Sequence, residues 1–507
     1  MLALVKMEFN IPSDGTLDDL FEHLNDKCDG DVTIILSKGI HRVSRDLCFP
    51  FNLTILSEDE PCAEVSYTHK LGSFPRDNFE CSGQDSGPFS LSVCDNSITV
   101  ASDKDSPDFE CLECGQTVSY YDSSSDMFSE YCVKNVCKSS ITVEQTCICQ
   151  AGVGDTLIIN PQSKISFDDN SRINVGNLTI SGVELGTEGS GIKSVFISAH
   201  NITISSVFLR GINLNMSGFM RNVRTSALYS SLLTVGDVST LHGNHLTFLG
   251  NNSSLVSRNS RVSTFSTIFV GARMSLDISE GSSATINHTT IYNSEVGINV
   301  HMSTAVLLNS TILSTTFPII SLGSIIIIPD RSEFVTILNS TTGFRMLSSS
   351  SLYIQTKSLM MRNVQNDITL DNTSFRHSST VQTMGCPNLT GRIDLNSMSN
   401  GLVNNTSMNF NIPSVSGNDF VQELSGQYTG SSNINNSELR STSGMLNTSI
   451  FTKPRGNMMN GLDLNGNSNT CNIQNKCGMN GRNRPGLSSI QTDGQNIRST
   501  YNIDMGI

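Results

Sequence analysis

Asn177-Leu-Thr-Ile-Ser-Gly-Val183 returns 24 residues later as Asn201-Ile-Thr-Ile-Ser-Ser-Val207. The close of that phrase runs on through Phe208, Tyr229, Phe248, Phe269, Tyr292 and Leu313, at steps of 21, 19, 21, 23 and 21 residues. Thr336-Ile-Leu338 extends it once more. A period near 22 marks a unit that cannot bury its own apolar side and must stack on its neighbours. These units are rich in Thr, Ser, Val, Ile and Asn and poor in Ala, Glu and Lys, which excludes helices on propensity. No Leu-x-x-Leu-x-Leu frame occurs, so leucine-rich repeats are excluded as well. A coil of short strands fits, each coil pairing in parallel with the next at about 4.8 Å. The six aromatic and aliphatic residues are expected to stack in its core.

Alternation within Leu178-Thr-Ile180, Ile202-Thr-Ile204 and Thr290-Ile-Tyr292 sends one set of side chains inward and the other outward. Asn, Ser and Gly are expected at the corners, where Asn and Gly tolerate left-handed backbone and amides can form ladders. The many Asn-x-Ser/Thr sequons, Asn287, Asn309 and Asn339 among them, follow from that corner-then-strand grammar and are weak signals of glycosylation.

Outward from the repeat, the N-terminal region carries a related phrase. Thr16-Leu-Asp-Asp19 reads as a helix N-cap, with Leu17, Leu20, Phe21 and Leu24 on one face. After Gly30-Asp31 come Val32-Thr-Ile-Ile-Leu36, Gly39-Ile-His-Arg-Val43 and Asn52-Leu-Thr-Ile55; Gly154-Asp-Thr-Leu-Ile-Ile159, Lys164-Ile-Ser-Phe167 and Asn177-Leu-Thr-Ile180 echo that order. The segment between the two copies reads as an insertion. Residues 1–150 hold 26 acidic and 10 basic side chains, so the net charge of −14 is concentrated there, and 11 of the 14 cysteines fall in the same part. Cys111, Cys114, Cys132, Cys137, Cys147 and Cys149 could form disulfides, hold a tetrahedral zinc or stay free; the spacing leaves all three open.

The helix from Thr16, the Gly30-Asp31 turn, the strand phrases to Ile55 and the rungs from Asn201 to Leu313 resemble right-handed parallel β-helix proteins of the pectate-lyase-like superfamily. The resemblance covers about 1–60 and 152–345. It implies an all-β, right-handed parallel β-helix with an N-terminal capping helix and a cysteine-rich insertion. The expected organisation is 1–61 cap and first coils, 62–151 acidic insertion, 152–380 β-helix, 381–452 irregular coils and 453–507 Asn/Gly/Ser-rich tail.

Polysaccharide-cutting members of that superfamily resemble one another in clustered acids on one face, from which this chain departs. Asp277 with Glu295 is the nearest in-register suggestion of a carboxylate pair, and His242-Gly-Asn-His245 the nearest suggestion of a metal site. Asp168-Asp169 reads as a solvated turn and Arg392-Ile-Asp394 as a strand end. No phosphate loop, nucleophile elbow or dinucleotide fingerprint occurs. The chain shows no basic stripe with interleaved aromatics, which argues against nucleic acid, and no apolar run long enough to cross a membrane. Met1 to Lys6 is too brief for a secretory signal, so a virion or a cytoplasmic assembly site is the expected location. The expectation is a non-enzymatic structural protein of a virus particle, of minor capsid or spike type, with capsid or other assembly proteins as partners and no cofactor. A polysaccharide lyase or glycoside hydrolase, or a glycosylated adhesin, is the alternative, and carbohydrate stays open as a partner.

Overall fold

The structure, a computed structural model, describes residues 7–396 except 13–15, 28–29, 60–64, 70–89, 95, 102–108, 110, 139, 145–150, 188–190, 237, 330–334, 348–349, 355–358, 372–379 and 384–391. The described residues belong to one compact unit. The expected tail of 453–507, and the region 381–452 apart from the strand residues 381–383 and 392–396, lie outside them.

The chain winds as a parallel β-solenoid of about 13 turns, roughly 60 Å long at the spacing of paired strands. Three parallel sheets form its sides. The first begins with the strands Met7–Ile11 and Val32–Leu36, the second with Gly39–Val43, and the third with the start of Leu47–Ser57. Register is carried by identical phrases: Asn52, Leu53, Thr54 and Ile55 pair with Asn177, Leu178, Thr179 and Ile180, and these with Asn201, Ile202, Thr203 and Ile204. The inward column continues from Ile202 through Met220, Leu241, Val262 and Ala284, all buried. Each large aliphatic side chain so buried contributes about 1.5–3 kcal/mol. The outward partners Thr33, Thr54, Thr179 and Thr203 form a threonine ladder of β-branched residues suited to a pleated surface.

Corners turn on single left-handed residues. Ser230, Gly250, Gly271, Asn293, Ser314, Asn339 and Asn363 occupy one such column, where Gly, and the short polar residues that can bond locally, are least penalised. An amide ladder rises along another corner: Asn52 Nδ2 donates to Asp31 Oδ2 at 2.9 Å, Asn177 to Asn52, and Asn201 to Asn177 Oδ1 at 2.7 Å. A third corner carries a buried serine ladder. The backbone N–H groups of Ser260, Ser282 and Ser303 donate to the hydroxyls of Ser282, Ser303 and Ser324, one turn on, at 3.1–3.2 Å. Spacings of 22, 21 and 21 residues were its only trace in the sequence.

The helix Asp18–Lys27 closes the N-terminal end. Thr16 Oγ1 accepts from Asp18 N–H, and Leu17, Phe21 and Leu24 join the solenoid core. Asp18 reaches the backbone N–H groups of Ser44 and Arg45 at 2.8 and 3.0 Å, tying helix to coil.

Between Ser57 and Ser163 the chain leaves the solenoid; Ser163–Phe167 then pairs in register with Gly39–Val43. The excursion forms a seven-stranded sheet of antiparallel pairs, from Ser66–Thr68 to Thr156–Ile159, over its own core of Tyr67, Phe109, Val118, Tyr120 and Ile141. One expectation fails here. Gly154 to Ile159 does not repeat the solenoid strand Val32–Leu36, because Thr156–Ile159 pairs antiparallel with Thr68 and Tyr121 inside the module. The likeness arose because this strand is buried on both faces, Leu157 and Ile159 in the module core and Ile158 against the solenoid.

Candidate functional site

The second sheet has no free outer face along the turns that meet the module. Its strands carry consecutive apolar pairs, Phe208-Leu209, Leu228-Tyr229, Phe248-Leu249 and Phe269-Val270. The inner member of each pair fills the solenoid: Leu209, Leu228, Phe248, Phe269, Ile291 and Ile312 form one column. The outer members Tyr229, Leu249, Val270, Tyr292 and Leu313 form another. The expected single stack therefore divides. Phe248 lies on Phe269 with ring centroids 4.5 Å apart, whereas Phe208, Tyr229 and Tyr292 face the module and Leu313 packs with Leu338. A shift of one residue along a strand reverses the face.

Against that outer column the module sets Val65, Tyr121, Phe128 and Ile158. Phe128 stacks on Tyr229 at 4.1 Å, and the Arg210 guanidinium covers Phe128 at 4.9 Å while pairing with Glu130. Ser66 Oγ donates to Thr247 Oγ1 at 2.9 Å, and Asn251 Nδ2 to Asp126 Oδ2 at 2.7 Å. Tyr121 Oη donates to Asp126 Oδ1 at 3.0 Å and sits where a Cβ on Gly271 would come within 2.4 Å. Gly271 also has φ of 70°. Gly271→Ala should loosen the joint by about 1–3 kcal/mol, read as faster proteolysis of the module with the solenoid still intact; an unchanged cleavage rate would refute the contact.

Within the module, buried Asp155 organises the turn next to the joint. Its carboxylate accepts from Tyr120 Oη at 2.6 Å, Ser123 N–H at 2.9 Å, Ser123 Oγ at 3.0 Å and Gly152 N–H at 2.8 Å. Burial, and then the hydrogen bond to Asp155, push the Tyr120 phenol far above the ordinary tyrosine range; burial and the Asp126 charge do the same for Tyr121. The folded state thus favours the protonated phenols. Their contribution is complete below about pH 10, where unfolded tyrosine ionises, and is lost as pH rises beyond it. The part of the tyrosinate absorbance that Tyr120→Phe with Tyr121→Phe removes should appear only with cooperative loss of the module; its smooth appearance near pH 10 in folded protein would contradict this.

The other candidates read from the sequence are not gathered into a site. Asp277 pairs in register with Asn299, whose Nδ2 donates to it at 2.8 Å, and not with Glu295. Glu295 lies 3.4 Å from Arg273 on a corner. His242 stands edge-on to Phe219 and His245 edge-on to Phe265, each on its own ring. Among the described residues no cluster of three or more His, Cys, Asp or Glu could hold a metal. Cys114, Cys132 and Cys137 are free and Cys111 is disulfide-bonded; Cys147 and Cys149 lie outside the described residues. Asp169 accepts from Ser194 N–H, and Asp168 lies 3.7 Å from Lys193. A shallow groove of about 370 Å³ at one corner is lined by Ser314, Thr315, Thr316, Asn339, Ser340, Thr341, Asn363, Val364 and Gln365, with no charged group.

No family model and no curated protein matches the chain. Among solved structures it is similar to the tailspike protein gp49 from Pseudomonas phage LKA1, at 11% identity over 78% of this chain and 73% of that one, with a TM-score of 0.23. It is similar to the gp54 tailspike of Acinetobacter baumannii bacteriophage AP22, in complex with A. baumannii capsular saccharide, at 10% identity over 76% and 74% and a TM-score of 0.19. The third is XylC in complex with xylose, at 10% identity over 74% and 75%, with a TM-score of 0.21. No helix among the described residues is long and apolar enough to cross a membrane.

Proposed function

We propose that this protein is a non-enzymatic, rigid attachment element or spacer of a virus particle. The observation that carries the reading is the joint: a continuous solenoid holds a second folded module along one side through buried aromatics, an ion pair and side-chain hydrogen bonds. Such a rod transmits position with little bending, because every turn is tied to the next by backbone pairing and by corner ladders. The solenoid carboxylates considered as a catalytic pair are instead engaged in structural contacts with Asn299 and Arg273. Capsid or other assembly proteins are the partners that this role requires.

Immunoblots and immunogold labelling of purified particles test the reading. Stoichiometric presence with surface labelling is expected; a protein absent from particles and freely soluble would overturn it. Reducing-end release from a polysaccharide panel, abolished by Asp277→Asn or Glu295→Gln, would instead assign hydrolysis or lysis.

A further inference from the structure

The first sheet carries a cationic, aromatic outer face that the linear sequence conceals. Its strands contribute residues 219–224, 240–245, 261–265 and 283–287, paired in parallel with a bulge at Arg221-Asn222. Arg221, Arg224 and Arg261 are exposed there, and none has a carboxylate partner among the described residues. His242, His245 and His288 are exposed beside them. Phe219 and Phe265 lie between: Arg221 covers Phe219 at 4.9 Å, and Phe265 stands between His245 and His288 at 6.5 and 5.0 Å. No Asp or Glu occurs in these four segments, although the chain carries a net charge of −14. The nearest acid along the described chain, Glu280, lies on a corner outside the sheet.

We infer that this face binds an acidic glycan chain. The inference rests on the attachment reading and names what would be attached to. Two unpaired guanidiniums on one turn, Arg221 and Arg224, and a third, Arg261, two turns on and roughly 10 Å further along the axis, match charges repeated along a linear polyanion. Between them Asn222, Asn244, Ser263 and Thr285 offer amides and hydroxyls suited to sugar hydroxyls. The histidine rings are already engaged edge-on with Phe219 and Phe265. Few ring faces are left for base stacking, which disfavours single-stranded nucleic acid.

The test uses the full chain in titrations with heparin, polygalacturonate, neutral dextran and a single-stranded DNA of matched charge. Heparin or polygalacturonate should bind, more weakly as salt rises, and dextran should not. The triple variant Arg221→Ala, Arg224→Ala, Arg261→Ala should lose about tenfold or more in affinity, at roughly 0.5 kcal/mol for each exposed charge contact. Its thermal unfolding should match that of the parent, since these side chains are exposed. Lys134→Ala with Lys138→Ala, on the module, should leave binding intact. Equal binding by the triple variant, or no binding of either glycan, would overturn the inference. Tighter binding of the DNA would reassign the face to nucleic acid. Binding is read on purified protein and particle location on virions, so either idea can fail alone.

Discussion

Phe248→Ala should lower the unfolding free energy by about 3–5 kcal/mol, the range for removing a buried aromatic ring. Phe248 is fully buried and lies nearly parallel to Phe269, with an interplanar angle of 14°. Its neighbours in the inward column, Leu228 and Phe269, are held by backbone pairing on both sides and cannot collapse into the space. A solenoid couples each turn mainly to its neighbours, so the loss should appear first as local opening around these turns. Hydrogen exchange of residues 228 to 291 should rise before that of the helix-capped end, and denaturant unfolding should shift to a lower midpoint. Phe248→Leu, which keeps most of the volume, should cost less than half as much. A loss below about 1 kcal/mol for Phe248→Ala would show that the ring pair does not carry the core.

Asp155→Ala should cost about 3 kcal/mol or more, concentrated in the module. The substitution removes the acceptor of the Tyr120 hydroxyl, the Ser123 N–H and hydroxyl, and the Gly152 N–H in one step. Each donor left buried without a partner costs about 1–3 kcal/mol, although some will find water. Asp155→Asn keeps the volume and one oxygen and should fall between the two. Because Thr156–Ile159 follows directly and sends Ile158 into the joint, the module should also detach from the second sheet. Near-ultraviolet circular dichroism of the tyrosines reads both effects, the chain having no Trp. Retention of the parent tyrosine signal in Asp155→Ala would mean that this carboxylate is not the organiser of the turn.

The period, the cap and the pairing of Asn52-Leu-Thr-Ile55 with Asn177-Leu-Thr-Ile180 were legible because each depends on local chemistry. β-Branched residues with short polar corners favour strands and turns whatever lies around them. The aromatic column was only half legible. Where a sheet is covered on both faces, alternation between apolar and polar residues is lost, and nothing local distinguishes Leu228 from Tyr229 as the inward residue. The doubled apolar pairs were themselves the signal that something covers the outside. The same cover explains Gly154 to Ile159: a strand apolar on both sides reads alike in a solenoid and in an antiparallel module.

By itself, then, the sequence determined the class of fold, the length of the repeat and the closed N-terminal end, since these follow from propensity and spacing within a few tens of residues. Tertiary structure alone decided which residue of each apolar pair faces inward, that the segment after Ser57 folds back along the second sheet, and that Asp277 meets Asn299. It also brought three arginines and three histidines onto one face. In the chain those residues are scattered between Arg221 and His288, and no run of basic charge is visible. Parallel pairing brings each turn to about 4.8 Å from the next, so side chains some 20 residues apart become neighbours, and a surface charge pattern exists only once the register is set.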